Sequence, residues 1–297
     1  MKNYALNVMK ELEFDKEAIE SLCADLDTIY ANDEARKSFE ECIASYEENI
    51  NLNYGELLKK AERAGESVGV HKYSAGLLLF VCLSKHLRKL YKEQGIADQI
   101  WYDSMLDLKW KLWECMVVKE MYGSFVAWWF PGFFNMTRFA LGRLQFDFTR
   151  YGDTYKDDEF DLTPDSMIIG VHIPRTMTPF DKASRDDAYA QAKAFFGPKL
   201  NGAPMVFTCC SWLLYPAFKD IIPEKSNTRS FMDEFKIIKE YHDKDGEYND
   251  AWRLFDMDQP KDLNEYPEDS SLRRAIKKYL LDGGRTGEGL GIFKVEY

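Results

Sequence analysis

Asp147 and His172 are the two side chains in this sequence best suited to moving a proton. Asp147 closes the polar side of residues 143–150. Arg143, Gln145, Asp147 and Thr149 share one face there, and Leu144, Phe146 and Phe148 share the other. That alternation is the signature of a half-buried strand. A carboxylate on such a face, its pKa raised by burial, is a usable base. The plainer reading is an ion pair with Arg143 on the same face or with a cross-strand cation. His172 lies in the apolar stretch 167–174, where only Gly170 and His172 interrupt Ile168, Ile169, Val171 and Ile173. Such a strand is covered on both faces. An imidazole within it can take a proton from an attacking amine near neutral pH; otherwise it is a core histidine bonded to a backbone carbonyl.

Behind that strand, Arg175, Lys182 and Arg185 flank the start of a helix. Ser184 reads as its N-cap, with Asp187 three residues on as a capping-box variant. The first amides of a helix have no internal partners, so this start is a place for an anion. The alternative is a solvated surface on which the three cations pair with Asp181, Asp186 and Asp187. Cys209 and Cys210 are adjacent, so their side chains point to opposite faces of a strand. One of them could act as a thiol nucleophile with His172 as base; the plainer reading is a buried small hydrophobe. The glycine-rich residues 283–291 follow a helix and precede a strand, the reverse of a dinucleotide turn, and read as a flexible connection.

These residues need a scaffold. Residues 1 to about 125 carry apolar positions three and four apart, as in Leu22, Leu26 and Ile29 or Phe39, Ile43 and Tyr46, so this half reads as helices throughout. Residues 74–91 are apolar on all sides and predict a central helix, packed against the aromatic stretch 101–129. His71 and His86 in this half read as surface or packing residues. The pattern changes at Pro131 and Gly132. Then come strands over 143–150, 167–174, 204–212 and 236–242, with residues 250–257 as the partner of the last of these. Residues 151–165 read as an acidic turn or loop. Helices follow Ser184 and Ser270, and a closing strand runs over 289–297. The fold class is therefore α+β: an all-helical domain over 1–130, then a mixed α/β sheet domain over 131–297.

The 297 residues suit two domains. A net charge of −11 argues against a nucleic-acid or anionic-membrane partner. The first twenty residues carry acids and no apolar core, so they read as an amphipathic helix and not a secretory leader. The six cysteines show no metal spacing and suggest a reducing, cytoplasmic setting.

The succession Leu141-GRLQFD, Ile169-GVHIP, Phe207-TCCSWLLYP and Ser226-NTRSFMDEF resembles bacterial acyltransferase-domain proteins, which join a helical N-acyltransferase-type domain to a GNAT-like C-terminal domain. The resemblance covers both halves, most clearly residues 135–260. It implies an acyl-CoA-dependent N-acyltransferase using acetyl-CoA or another acyl-CoA. Its acceptor would be an amine-bearing small molecule or peptide. By that resemblance 168–174 is the fourth strand and 205–211 the fifth, parted to admit pantetheine. The Ile173 amide would face the thioester carbonyl. Arg175, Lys182, Ser184 and Arg185 would hold the diphosphate, and Asn227 would lie on the helix before the sixth strand. The loop from Arg175 to Asp186 has no glycine where the family has a glycine-bearing loop. Glu234 and Phe235 stand where a tyrosine acid is usual. The competing readings are a non-catalytic acyl-CoA or peptide-binding module on the same fold, and the thiol enzyme above.

Overall fold

A computed structural model describes residues 1–295. The chain divides into two compact units, Met1–Ala140 and the remainder from Leu141.

The first unit is helical: α1 (Lys2–Glu11), α2 (Lys16–Ala31), α3 (Asp33–Glu48), α4 (Tyr54–Glu66), α5 (Lys72–Glu93), α6 (Asp98–Lys119) and the short α7 (Pro131–Phe134). Asn32 caps α3 by accepting from the amides of Glu34 at 3.0 Å and Ala35 at 2.9 Å, satisfying donors that the helix leaves open. His71 does the same for α5, its Nδ1 accepting from the Tyr73 amide at 3.1 Å. Every residue from Leu77 to Leu83 in α5 is buried. A helix apolar on all sides belongs at the centre of a bundle, and α1, α2, α3, α4 and α6 all pack on it. The α6 stripe of Trp101, Met105, Leu108 and Leu112 is buried as well.

The second unit is built on a sheet. Its strands are β1 (Arg138–Leu141, where the chain passes from one unit to the next), β2 (Leu144–Arg150), β5 (Met167–His172), β6 (Met205–Ser211), β7 (Lys236–His242) and β8 (Gly287–Val295), in the order β1-β2-β5-β6-β8-β7. β5 and β6 are parallel; β2–β5, β6–β8 and β7–β8 are antiparallel. The remaining helices are α8 (Lys182–Phe196), α9 (Asn227–Met232), α10 (Ala251–Phe255) and α11 (Ser271–Leu281). On one face Phe146, Phe207 and Phe293 line up across three strands, and Tyr189 of α8 packs edge-on against all three rings. On the other face Phe160, Leu162, Ile168, Val206 and Ile292 form a second cluster.

Four local expectations are corrected. Residues 151–165 are not only a loop: β3 (Tyr155–Lys156) and β4 (Asp161–Leu162) form a two-stranded sheet that delivers Phe160 and Leu162 to the second cluster. Residues 250–257 form α10 and no strand, because burial of Ala251 and Phe255, one helical turn apart, decides a short pattern that also alternates. The partner of β7 is β8. The glycine-rich stretch is largely β8 itself. At Gly289 an added Cβ would stand 2.1 Å from the Leu214 carbonyl oxygen, so the glycine serves close backbone approach and not flexibility. The start of α8 is capped by Asp181, whose carboxylate accepts from the Ser184 amide at 2.9 Å; Ser184 lies inside the helix. The final two residues of the expected closing strand lie outside the described residues.

Candidate active site

The β2–β5 ladder sets Asp147 opposite Gly170 and Gln145 opposite His172. Asp147 and His172 are thus diagonal neighbours on one face, within reach of each other. His172 Nε2 lies 2.8 Å from Asp147 Oδ2, and both side chains are partly open to solvent. An ionised carboxylate at Nε2 selects the tautomer with its proton on that nitrogen and leaves Nδ1 as the basic one. Gly170 stands between them. A Cβ there would sit 3.3 Å from Asp147 Cβ and 3.7 Å from His172 Nε2.

The register also parts the strands here. β5 and β6 share the pairs Ile169↔Phe207 and Gly170↔Thr208, and no pair beyond these among the described residues. Past that point β5 remains on β2 as far as His172, and β6 remains on β8 as far as Ser211. The sheet therefore opens beside the Asp147–His172 pair, with Ile173 next along the opened strand.

Arg175, Lys182, Ser184 and Arg185 are committed to partners within the protein. Arg175 pairs with the Asp256 carboxylate through both terminal nitrogens, Nη2 at 2.9 Å, and Arg273 pairs with the same carboxylate. Lys182 is exposed and holds Asp186 at 2.6 Å. The Ser184 hydroxyl donates to the carbonyls of Pro179 and Asp181. Arg185 is 0% exposed. It donates to Glu234 at 2.6 Å, to Ser230 at 2.9 Å and to the Phe180 carbonyl at 2.9 Å. Glu234 accepts from the Tyr189 hydroxyl as well, and that phenol is pushed up by burial first and then by the carboxylate. Asn227 opens α9 and is exposed. Asp147 and His172 are the pair that the fold brings together; the cations are distributed elsewhere.

Cys209 is buried. Cys210 lies on the opposite face, its Sγ 3.6 Å from Glu288 Oε2. Cys210 is exposed as a residue, but partial burial of its sulfur, with the Glu288 carboxylate beside it, pushes the thiol up to about 12. A thiol so shifted is a weak nucleophile near neutral pH.

The sequence puts Arg143 on the Asp147 face, where an ion pair with Asp147, or one between Asp147 and a cross-strand cation, is the plainer reading. Arg143 goes elsewhere: Nε donates to the Pro179 carbonyl at 3.1 Å and Nη1 to the Pro174 carbonyl at 2.9 Å, beneath the Phe180 ring. Its place at the head of the alternating face was the only sequence signal for it.

The parted parallel strands, followed by a helix from the first of them, are matched at the level of sequence family. Residues 139–293 match the GNAT-like C-terminal domain, and residues 5–136 match the N-acyltransferase N-terminal domain. The chain belongs to this N-acyltransferase family with a GNAT-like domain. Its fold is also that of solved acyltransferases. One, in complex with decanoyl-CoA and teicoplanin, has a TM-score of 0.77 at 21% identity over 98% of this chain and 88% of that one. A second, with CoA and 10C-teicoplanin, has a TM-score of 0.78 at 21% identity and the same coverage. A third, with decanoyl-CoA, has a TM-score of 0.74 at 18% identity, again over 98% and 88%. At these identities the likeness is one of fold. No curated protein matches the sequence. Among the described residues no helix is long and apolar enough to cross a membrane, and no cluster of His, Cys, Asp and Glu is set to hold a metal.

Proposed function

We propose that the protein transfers an acyl group from acyl-CoA to the amine of a small molecule or peptide, with His172 as the base and Asp147 as its orienting partner. The single observation that carries this reading is the 2.8 Å contact between His172 Nε2 and Asp147 Oδ2 beside the parted strands. The bond that forms is amine nitrogen to acyl carbon; the bond that breaks is acyl carbon to sulfur. An ammonium has no lone pair, so the acceptor first loses a proton, which His172 Nδ1 takes up. Asp147 holds the ring in the tautomer that makes Nδ1 basic and offsets the charge of the imidazolium that results. The leaving thiolate regains a proton from that imidazolium, and the attacking nitrogen gives up its second proton to the ring so freed or to water, which leaves the neutral amide, free CoA thiol and one proton released. The Ile173 amide, just past the last β2–β5 pair, is assigned to the thioester carbonyl oxygen, where a fixed N–H donor favours the developing negative charge.

The gap fits a thioester arm, since a strand that loses its neighbour offers backbone donors and acceptors to an extended chain. The acceptor is placed by class alone, an amine on a small molecule or peptide; a structure of the same fold is in complex with decanoyl-CoA and teicoplanin. The proton-handling pair favours an enzyme over a binding module, which has no need of one. The test is release of free thiol from octanoyl-CoA in the presence of a panel of amines, including amino sugars and glycopeptides. Acceptor-dependent release in the wild type, lost in His172→Gln, supports the reading. Binding of CoA with no release for any amine would leave the binding-module reading in its place.

A further inference from the structure

Four cations surround the segment that joins β5 to α8, and three have carboxylate partners: Arg175 with Asp256, Lys182 with Asp186 and Arg185 with Glu234. Arg143 has none among the described residues. Its guanidinium holds two backbone carbonyls, those of Pro174 and Pro179, so it grips both ends of the same segment. Those bonds use Nε and Nη1. A guanidinium has more N–H donors than that, and Nη2 has no partner among the described residues.

Arg143 is partly buried, and a cation even partly withdrawn from water without a counter-charge is disfavoured. Consistent with this, burial alone pulls the Arg143 guanidinium down to about 10. The chain carries a net −11 and so has carboxylates to spare, yet none among the described residues pairs with this guanidinium. The segment it grips contains no glycine that would let backbone amides close around a phosphate.

We infer that Arg143 is an anion receptor, and that it takes a phosphate group of the CoA moiety through its uncommitted guanidinium edge. This rests on the acyl-CoA reading above. A planar guanidinium already fixed at two points has little freedom left to lose, and it pairs well with phosphate oxygens. The site of anion recognition is then a side chain from the start of β2 and not the α8 N-terminus with its paired cations.

The experiment compares ligands that differ only in phosphates. CoA and pantetheine, each as the S-octanoyl thioester, are titrated calorimetrically into the wild type, Arg143→Met and Arg143→Lys. The expected result is about a ten- to hundredfold loss of CoA affinity in Arg143→Met, the scale for one charge-assisted contact, with pantetheine affinity unchanged. Arg143→Lys should recover part of the loss. CoA affinity equal to wild type in Arg143→Met overturns the assignment and would leave an acceptor carboxylate as the ligand to try. An equal loss for both ligands, with a lower melting temperature, also overturns it: Arg143 is then only a brace for residues 174–179. Should Arg143→Met fail to fold, competition of inorganic pyrophosphate against CoA in Arg143→Lys and in wild type gives the same decision. A wild type that binds neither thioester overturns the acyl-CoA reading itself, an outcome distinct from these.

Discussion

His172 and Asp147 meet at 2.8 Å across a place where β5 carries only a glycine hydrogen. Gly170 is opposite Asp147 in the ladder and two residues before His172, so all three lie on one face. A Cβ at 170 would press on Asp147 Cβ at 3.3 Å.

The first prediction concerns the pair. Asp147→Asn and His172→Gln should each lower acyl-transfer turnover by about 10²–10⁴-fold, the range for a general base and the group that positions it. The double variant should lose little more than the worse single one, because residues that act as a unit are not additive. CoA affinity and melting temperature should hold. Losses that multiply in the double variant would mean that the two act separately.

Gly170→Ala is the second. Its methyl would press on Asp147 Cβ at 3.3 Å and lie in ordinary contact with His172 Nε2 at 3.7 Å, so the strain falls on Asp147. Turnover should fall more than CoA binding does, and a crystal structure should show the Nε2–Oδ2 contact lengthened. An unchanged contact with full activity would remove any role for this glycine.

Thiol chemistry supplies a third. With its thiol pushed up to about 12, Cys210 should stay protonated near neutral pH and alkylate far more slowly with iodoacetamide than a free thiol. Cys210→Ala should keep wild-type turnover. The sign for stability follows from the same shift. The unfolded chain loses this proton near 9.0 and the folded chain only near 12, so between those values the unfolded form is favoured as pH rises. Melting curves from pH 8 to 11 on wild type and Cys210→Ala should diverge in that direction.

A fourth prediction separates structure from chemistry at α8. Arg185→Met removes a fully buried cation and leaves the partly buried Glu234 carboxylate with no counter-charge, and should cost about 2–4 kcal/mol by chemical denaturation. Arg185→Met with Glu234→Leu should recover much of that, since the carboxylate is then gone too. A single variant as stable as wild type would mean that the Arg185 network contributes nothing to the fold.

The helical unit gives the fifth. Leu79 in α5 is 0% exposed, and Leu79→Ala should cost about 2–5 kcal/mol. A cost below about 0.5 kcal/mol would place the α5 core outside the range of buried leucines.

Periodicity alone determined most of the elements. The all-apolar run of α5 required a central helix, and the alternation over 144–150 required a strand with Asp147 on its polar face, because these preferences act between near neighbours. The family motifs, too, are local strings. Tertiary structure decided what local sequence does not contain. Five residues from Ala251 fit a strand or a helix equally, and burial of Ala251 with Phe255 chose the helix. The glycines over 283–291 read as a flexible connection, whereas Gly289 lies in β8 with the Leu214 carbonyl packed against it. Above all, the partners of the charges come from far along the chain: Asp256 reaches Arg175 and Glu234 reaches Arg185 across 81 and 49 residues. Coulomb attraction depends on distance in space. The sequence therefore showed where the cations were, while only the folded chain decided that Arg143, among the described residues, would be the one of the four without a carboxylate.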